Sequence, residues 1–334
     1  MMKILAIFAG YDKDNIIDDY VLFYLKELKK ISDIIYIADC EMPESELNKI
    51  ADFTIKAISE RHGEYDFGSY KRGYIYAKEN NILENYDYLI LCNDSVFGPF
   101  YNLFNIFDEL LCYKNSVYGI SKHEKDSIYE EHLQSYFLII PQNVFLQRWY
   151  EDFIYSIRKE NNKIDIVVNY EVNMSILFKK YGYNLTSLYS SNVNLSYYNP
   201  VYLIEKGCIF LKKENIGLTL KEILKIFNLI KNNYDTNLII NYYERKSYKK
   251  VLFNKDYTML LDKAKDKERK LKLKCGWFSF FNIYNNSNIL KIVIFGIKII
   301  IKMTPEKINR IAWWIPVKKL RDNFRNKFNS KLIN

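Results

Sequence analysis

The chain has 334 residues, enough for one large domain or for one domain with appendages. Its composition, 49% hydrophobic and 27% charged, is typical of a globular protein with a sizeable core. Residues 285–334 hold 11 basic and 2 acidic residues, so they account for the whole net charge of +9, and residues 1–284 are neutral overall. The neutral first part and the lack of a recognisable nucleic-acid module argue against a nucleic-acid partner.

The five cysteines are odd in number, far apart and form no CxxC pair. This pattern excludes a zinc knuckle or a disulfide framework and favours reduced thiols in the cytoplasm. The apolar run in MMKILAIFAGYDKD spans only six residues before charges begin. We interpret it as a first strand, since a signal peptide needs a longer run.

Apolar runs alternate with segments of helical periodicity along the first two thirds of the chain. In chain order they predict a strand at 3–10, a helix at 16–31, a strand at 33–39, a helix at 45–58 with a short strand at its end, a helix at 69–81 after a turn at 66–68, strands at 88–92, 116–121 and 135–141, and helices at 143–160 and 170–181. Beyond about residue 215 the pattern is helical and increasingly basic. The alternation predicts an α/β fold, namely a Rossmann-type, mostly parallel sheet flanked by helices, with a helical basic C-terminal extension.

Polar residues follow several predicted strands directly. In LILCNDSVFGPF a buried strand ends in an amide, a carboxylate and a hydroxyl. Ligands of open parallel sheets bind outside the carboxyl ends of the strands. The residues in such positions are Gly10, Tyr11, Asp12, Asp39, Asn93, Asp94 and Ser95. Each alone could be a cap or a turn residue, but together they favour a polar cleft.

Five blocks of the sequence carry a family resemblance. They read IFAGYDKDNIIDDYVLFYLKELKKISDIIYIADC (7–40), RHGEYDFGSYKRGY (61–74), YDYLILCNDSVFGPFYNL (86–103), HLQSYFLIIPQNVF (132–145) and, more weakly, NPVYLIEKGCIFLKKENI (199–216). These blocks resemble the rhamnan synthesis protein F family of bacterial polysaccharide glycosyltransferases. The resemblance spans roughly residues 3–216 and does not extend into the last 115 or so residues.

The resemblance implies a GT-A-like catalytic domain over residues 1–216 that binds a nucleotide sugar at its sheet edge. A charged helical extension at 217–284 and a basic tail at 285–334 would follow. In GT-A enzymes an Asp-x-Asp motif often holds a divalent metal on the donor diphosphate. Here Asn93 and Ser95 flank Asp94, and a hard cation prefers more than one carboxylate. Two alternatives stay open: Asp94 helps to hold Mg²⁺ or Mn²⁺, or it binds sugar hydroxyls directly.

The resemblance also implies a donor-binding helix start, at Asp66, Gly68, Ser69, Lys71 and Arg72. Helix N-termini attract anions, and an arginine can grip a diphosphate with two parallel hydrogen bonds. Without a metal, Lys71 and Arg72 would stabilise the leaving nucleoside diphosphate. The alternative is a solvated turn with both cations facing water.

The predicted general base is Glu171, at the start of a helix that Gly182 closes. Its alternative role is to complement the helix dipole. Asp94 is the second catalytic candidate, and Asp66 and Asp165 are reserves. His132 and Gln134 share one face of a predicted strand, where they would contact acceptor or donor sugar, or form a buried structural pair.

The apolar and basic composition of the tail, residues 285–334, predicts a membrane-surface anchor. Lys291 and Lys298 interrupt the apolar run 288–302, which is too short to span a bilayer. Apolar bulk, Trp313, Trp314 and excess positive charge suit an interfacial helix on an anionic leaflet. The alternative is a helical hairpin packed on the core.

The resemblance therefore predicts a peripheral enzyme on the cytoplasmic face of the membrane. It would transfer a sugar, with L-rhamnose from dTDP-L-rhamnose as the first donor to consider, to a surface polysaccharide or a lipid-linked glycan, with inversion. The rival is a non-catalytic scaffold subunit of a polysaccharide-assembly complex, which the incomplete acidic motif permits.

Overall fold

The computed structural model describes residues 2–214, 218–246, 289–294 and 297–302. The chain divides into two compact units, Met1–Asn254 and Lys255–Asn334. The strands of the first unit are β1 (Ile4–Gly10), β2 (Asp33–Ala38), β3 (Lys56–Ser59), β4 (Tyr88–Asn93), β5 (Val96–Phe97), β6 (Ser116–His123), β7 (His132–Leu133), β8 (Phe137–Pro141), β9 (Asn184–Ser191) and β10 (Leu211–Lys212).

Helices pack around these strands. They are α1 (Asp19–Lys29), α2 (Glu44–Leu47), α3 (Tyr65–Glu79), α4 (Phe104–Leu110), α5 (Gln142–Phe145), α6 (Arg148–Ser156), α7 (Lys163–Ile166), α8 (Asn173–Lys180), α9 (Leu195–Tyr198), α10 (Pro200–Glu205), α11 (Leu220–Ile230) and α12 (Asn237–Arg245), with 3-10 turns at Asn48–Ile50 and Leu83–Asn85 and a π-helical turn at Val167–Val172.

The main sheet has the strand order β3-β2-β1-β4-β8-β6-β7, and β9 pairs with β6. The pairs among β1, β2, β3 and β4 are parallel, as is β6 with β9, whereas β8 runs antiparallel to β4 and β6. The predicted α/β class with a mostly parallel sheet is confirmed. All seven residues of β1 are buried, as expected for a strand covered on both faces.

Helix α3 fixes one layer against this strand. Gly73 lies so close to β1 that a Cβ atom there would be 2.4 Å from Ile7 Cγ2. The predicted turn at 66–68 is wrong, because α3 already begins at Tyr65. Gly68 serves close packing instead, since a Cβ there would lie 2.3 Å from the Cβ of Glu64.

Several other boundaries differ from the prediction. The helix expected over 143–160 is split into α5 and α6, because Gln147 between them is extended. The helix expected to begin at 170 begins at Lys163 and runs through the π-helical turn. Strand β9 and the short pair β5–β10 were not predicted at all.

The described part of the second unit is an antiparallel hairpin of β11 (Ile289–Ile294) and β12 (Ile297–Lys302). The helix predicted across 288–302 is therefore wrong for these residues, whose many β-branched side chains favour strands. The rest of the predicted tail, including Trp313 and Trp314, lies outside the described residues. Across the described ranges, none of the helices is both long and apolar enough to cross a membrane.

Candidate functional site

The carboxyl ends of β1 and β4 meet at one edge of the sheet. The backbone N–H of Asp94 donates to the carbonyl of Ala9 over 3.2 Å. The backbone N–H of Tyr11 in turn donates to Asp94 Oδ2 over 3.1 Å. Burial raises the pKa of Asp94, and the neighbouring Lys213 ammonium opposes that rise. The two polar segments that follow these strands thus form one rim.

Asn93 organises this rim through its side-chain amide. Its Nδ2 donates to Asp66 Oδ2 over 3.0 Å and to the Tyr70 hydroxyl over 3.2 Å. Its Oδ1 accepts from the N–H and the hydroxyl of Ser95, at 3.1 and 2.6 Å. An amide can donate and accept at once, so Asn93 joins a carboxylate to a hydroxyl where a second carboxylate would repel Asp66.

Glu171 lies on the π-helical turn Val167–Val172 and reaches the same region. Its Oε2 accepts from the N–H of Ser135 over 2.7 Å and from the Ser135 hydroxyl over 2.5 Å. Its Oε1 faces His132 Nε2 at 3.8 Å. His132 Nδ1 lies 2.8 Å from the carbonyl of Glu130, which can only accept, so in the neutral ring Nδ1 carries the hydrogen and Nε2 is bare. The helical segment that holds Glu171 runs from Lys163 to Lys180, so Glu171 lies in its middle and not at its N-terminus, where the sequence predicted it.

The negative charge of Glu171 acts on Asp66. Burial, together with the negative charge of Glu171, raises the pKa of Asp66 to about 6. The ammonium group of Lys212 opposes this rise. Burial in turn lowers the pKa of Lys212 to about 8, against the attraction of both carboxylates. The site thus holds a carboxyl group that changes charge close to neutral pH, the range in which general acids and bases act.

Lys212 and Lys213 were not among the predicted site residues. Both lysines lie beside the Asn93–Ser95 turn because β10 pairs antiparallel with β5, with Lys212 opposite Val96. Lys212 Nζ lies 3.1 Å from Ser95 Oγ, and Lys213 Nζ lies 3.6 Å from Asp94 Oδ1. The sequence signal was the apolar run Ile209–Leu211 directly before two lysines, inside the weakest of the five resemblance blocks.

Asp12 is buried and engaged with the last described helix. Arg245 Nη2 donates to Asp12 Oδ2 over 2.7 Å, and Arg245 Nε donates to Asp18 over 2.6 Å. Lys246 also contacts Asp12, at 2.5 Å. Burial tends to raise the pKa of Asp12, but the hydrogen bonds from Arg245 and Lys246 outweigh it, so the pKa lies below its ordinary value. Asp12 lies at the rim as predicted by the strand pattern, but its charge is already neutralised within the chain.

Asp39 organises the loop that leads into α3. Its carboxylate accepts from the backbone N–H groups of His62, Gly63 and Tyr65, at 2.9, 2.7 and 3.3 Å. The guanidinium of Arg61 lies over the exposed ring of Tyr11, 5.2 Å from its centroid. At Gly10 there is no room for a Cβ atom, which would lie 2.2 Å from the Tyr36 hydroxyl.

The two cations proposed for the donor diphosphate have glutamate partners. Arg72 Nε donates to Glu60 and Arg72 Nη1 to Glu64, both over 2.6 Å. Lys71 Nζ donates to the carbonyl of Ile157 over 2.5 Å and lies 3.3 Å from Glu64. Positive charge on this side of α3 is thus balanced by the chain itself.

The remaining predicted residues have structural contacts. Ser69 is buried and its hydroxyl lies 3.1 Å from His62 Nε2. Gln134 is buried, and its Oε1 accepts from the Ser196 hydroxyl over 3.2 Å. Asp165 accepts from Asn162 Nδ2 over 2.8 Å at the start of α7.

The rim offers few protein ligands to a divalent metal. Within residues 2–246, less the gap at 215–217, no group of three or more histidine, cysteine, aspartate or glutamate side chains is arranged to hold a metal ion. Asp94, the one carboxylate of the Asn93–Ser95 turn, already binds the Tyr11 N–H and faces the Lys213 ammonium. Mg²⁺ is usually held by one or two carboxylates together with substrate phosphates, so a metal at this turn would have one protein carboxylate and would depend on the donor diphosphate for its other ligands.

Comparisons with known proteins identify a family for this chain. A family model described as rhamnan synthesis protein F matches residues 34–281, which is more than half of the chain. The match extends past residue 216, where the sequence resemblance was expected to stop. An uncharacterized protein of Sinorhizobium fredii (strain NBRC 101917 / NGR234) is 23% identical over 192 residues, which cover 56% of this chain and 48% of the relative. The chain thus spans about half the length of this curated relative.

Similar solved structures include two glycosyltransferases. Glycosyltransferase GlyE of Streptococcus pneumoniae TIGR4 has a TM-score of 0.37 and 13% identity, with 74% of this chain and 64% of that chain covered. A glycosyltransferase involved in the glycosylation of the major capsid of PBCV-1 has a TM-score of 0.36 and 11% identity, with coverages of 68% and 98%. These likenesses are distant, and the description of the fold rests on the strand order given above.

Proposed function

This chain belongs to the rhamnan synthesis protein F family, and we propose that it is a glycosyltransferase acting in polysaccharide synthesis. It would move a sugar from a nucleotide sugar to a cell-surface polysaccharide or a lipid-linked glycan, with inversion. L-rhamnose from dTDP-L-rhamnose is the donor that the family description favours. The basic tail at 285–334 would hold the protein on the inner face of the membrane, beside such an acceptor.

The observation that carries this proposal is the carboxylate arrangement at the sheet edge. Glu171 is held by two hydrogen bonds from Ser135, which fix Oε2 and leave Oε1 to face His132. In the proposed step the acceptor oxygen bonds to the anomeric carbon as its proton passes to Glu171. The bond from that carbon to the phosphate oxygen breaks, and its electron pair leaves with the nucleoside diphosphate.

The other rim residues would bind the donor around this base. Asp94 and Ser95 lie beside the two lysines, where the sugar and its diphosphate would sit. Asn93 would hold Asp66 in place, and Tyr11 with Arg61 offers a ring and a cation near the nucleoside. His132, with its bare Nε2 toward Glu171, is suited to share the proton that the base receives.

A scaffold function is the second candidate, and a specific observation favours it. Asp12, Lys71 and Arg72, three of the charged residues expected to hold the donor, are all paired within the chain. A non-catalytic subunit would keep such pairs permanently closed.

Donor hydrolysis by the purified full-length chain tests the proposal. We would measure nucleoside diphosphate release across a panel of dTDP-, UDP- and GDP-sugars, each with Mg²⁺, with Mn²⁺ and with EDTA. Release from one donor, lost in Glu171→Gln, is the expected result. No release from any donor, together with no donor-induced thermal stabilisation, would support the scaffold function.

A further inference from the structure

The geometry points to Lys212 and Lys213 as a diphosphate-binding pair beside the Asn93–Ser95 turn. The inference rests on the proposed function, because it names the part of the chain that would receive the leaving group. It also moves that task away from Lys71 and Arg72, whose charges are balanced by glutamates.

Lys212 is a partly buried cation whose direct contacts are neutral, while Glu171 and Asp66 attract it from further away. Its Nζ lies 3.1 Å from Ser95 Oγ and 4.5 Å from the centroid of the Tyr136 ring. Among the described residues, no carboxylate lies within 4.0 Å of it. Burying an ammonium group without a counter-ion in contact is costly, so the position favours an anion that comes from outside the chain.

Lys213 approaches the same turn from the neighbouring position. Its Nζ lies 3.6 Å from Asp94 Oδ1 and donates to the Tyr20 hydroxyl over 2.6 Å. Its ammonium group also lies over the rings of Tyr20 and Tyr242, at 5.1 and 5.2 Å from their centroids. A cation thus faces the carboxylate that would otherwise be the first metal ligand.

The backbone holds both lysines against the turn. Lys213 N–H donates to the carbonyl of Ser95 over 2.9 Å, and Lys212 pairs with Val96. The two ammonium groups therefore flank the Asp94–Ser95 segment. Lys212 has no carboxylate in contact, and Lys213 shares its charge with Asp94, so the pair keeps positive charge that can stabilise the phosphate oxygen as its bond to the sugar breaks.

Inorganic pyrophosphate is the probe that tests this pair, because it carries the diphosphate charge without sugar or base. We would titrate it into the full-length chain by calorimetry, once in EDTA and once in Mn²⁺. The expected result is binding in EDTA that Lys212→Met and Lys213→Met each weaken at least tenfold, as expected for loss of a charge-assisted contact. Lys206→Met removes the same charge from an exposed position and should leave the affinity unchanged.

Three outcomes would overturn the inference. They are binding that requires Mn²⁺, binding that Lys206→Met weakens as much as Lys212→Met does, and binding that neither lysine variant changes. Lys212→Arg, which keeps the charge, should retain most of the affinity and guards against a Met variant that fails to fold. Pyrophosphate binding through the lysines, with neither turnover of any donor nor donor-induced thermal stabilisation, would leave the pair standing and support the scaffold function. Metal-dependent turnover that persists in both Met variants would support the proposed enzyme and rule out the lysine pair.

Discussion

Glu171 is the side chain on which catalysis would depend most directly. Its carboxylate oxygens differ in their surroundings, since Oε2 accepts both hydrogen bonds from Ser135 and Oε1 faces His132. An amide can still accept from Ser135 but cannot take up a proton. We therefore expect Glu171→Gln to lower kcat by roughly 10²–10⁴-fold, the usual contribution of a general base, with little change in melting temperature.

The measurement is the release of nucleoside diphosphate by the variant, alongside its thermal melt. Glu205→Gln makes the same chemical change on an exposed part of α10 and should retain full activity. A Glu171→Gln enzyme that keeps more than half of its kcat would show that the base lies elsewhere.

Asp66 links stability to pH. Its pKa is raised from 3.8 to about 6 in the folded chain, so the folded state favours the neutral acid. The stability that this proton contributes is fully present below pH 3.8 and is lost as pH rises through about 6. Asp66→Asn mimics the neutral acid and removes this loss. Relative to the wild type, Asp66→Asn should therefore be more stable, with a larger free energy of unfolding, at pH 7.5 than at pH 5.

Urea unfolding of both proteins at the two pH values measures this difference. Asp52→Asn, at an exposed position, gives the change expected from removing a carboxylate at the surface. If the relative stability of Asp66→Asn is the same at both pH values, the raised pKa is wrong.

At the scale of elements, the contact between α3 and β1 sets the position of the site. Asp66 and Tyr70 lie on α3, and Gly73 lets that helix approach Ile7 closely. An alanine Cβ would lie 2.4 Å from Ile7 Cγ2, so the strand or the helix must shift. We expect Gly73→Ala to destabilise the fold, because an overpacking cost of about 1–3 kcal/mol exceeds the gain of up to ~1 kcal/mol in helix propensity.

Chemical denaturation compares this variant with Glu79→Ala, at an exposed position of the same helix. The control should stay within about 0.5 kcal/mol of the wild type. A Gly73→Ala protein as stable as the wild type would mean that α3 and β1 shift to accept the methyl group at no net cost, and would contradict the overpacking argument.

Which elements could be predicted from sequence follows from how they bury their side chains. Strands β1, β2 and β4 are apolar throughout, so their runs stand out, and the polar residues after β1 and β4 could be assigned to one edge. Strand β9 has mostly half-exposed, polar residues and carries no such run. Strands β5 and β10 have two residues each, too few for any periodicity, and the side-chain contact that they allow, between Lys212 and Ser95, joins positions 117 residues apart. Lys212 and Lys213 were missed for that reason.

At the scale of the whole first unit, one charge network joins the two ends of the described chain. Arg245 on α12 binds Asp12, just after β1, and Asp18, before α1. Removing the guanidinium would leave the largely buried carboxylate of Asp18 without its cation, whereas Asp12 keeps its contact with Lys246. We expect Arg245→Met to destabilise the unit by roughly 3 kcal/mol, the low end of the cost of breaking a buried ion pair.

Denaturant unfolding would measure the loss. Arg148→Met removes an arginine whose side chain is 79% exposed and should cost almost nothing. Adding Asp18→Asn to Arg245→Met should recover part of the stability, because it removes the charge that is left without a cation. No recovery in the double variant would contradict the charge argument. The partners here are 233 residues apart, which is why the sequence could place Asp12 at the rim but not reveal its counter-ion.

The burial around strand β10 has a consequence for how a ligand would meet the lysines. The ladder with β5 has only two residues, but Ile209, Phe210 and Leu211, directly before the lysines, are each at most 5% exposed, so the core holds this segment in place. A ligand would therefore find both cations already positioned and would not have to order the segment on binding. Such preorganisation lets more of the contact energy appear as affinity.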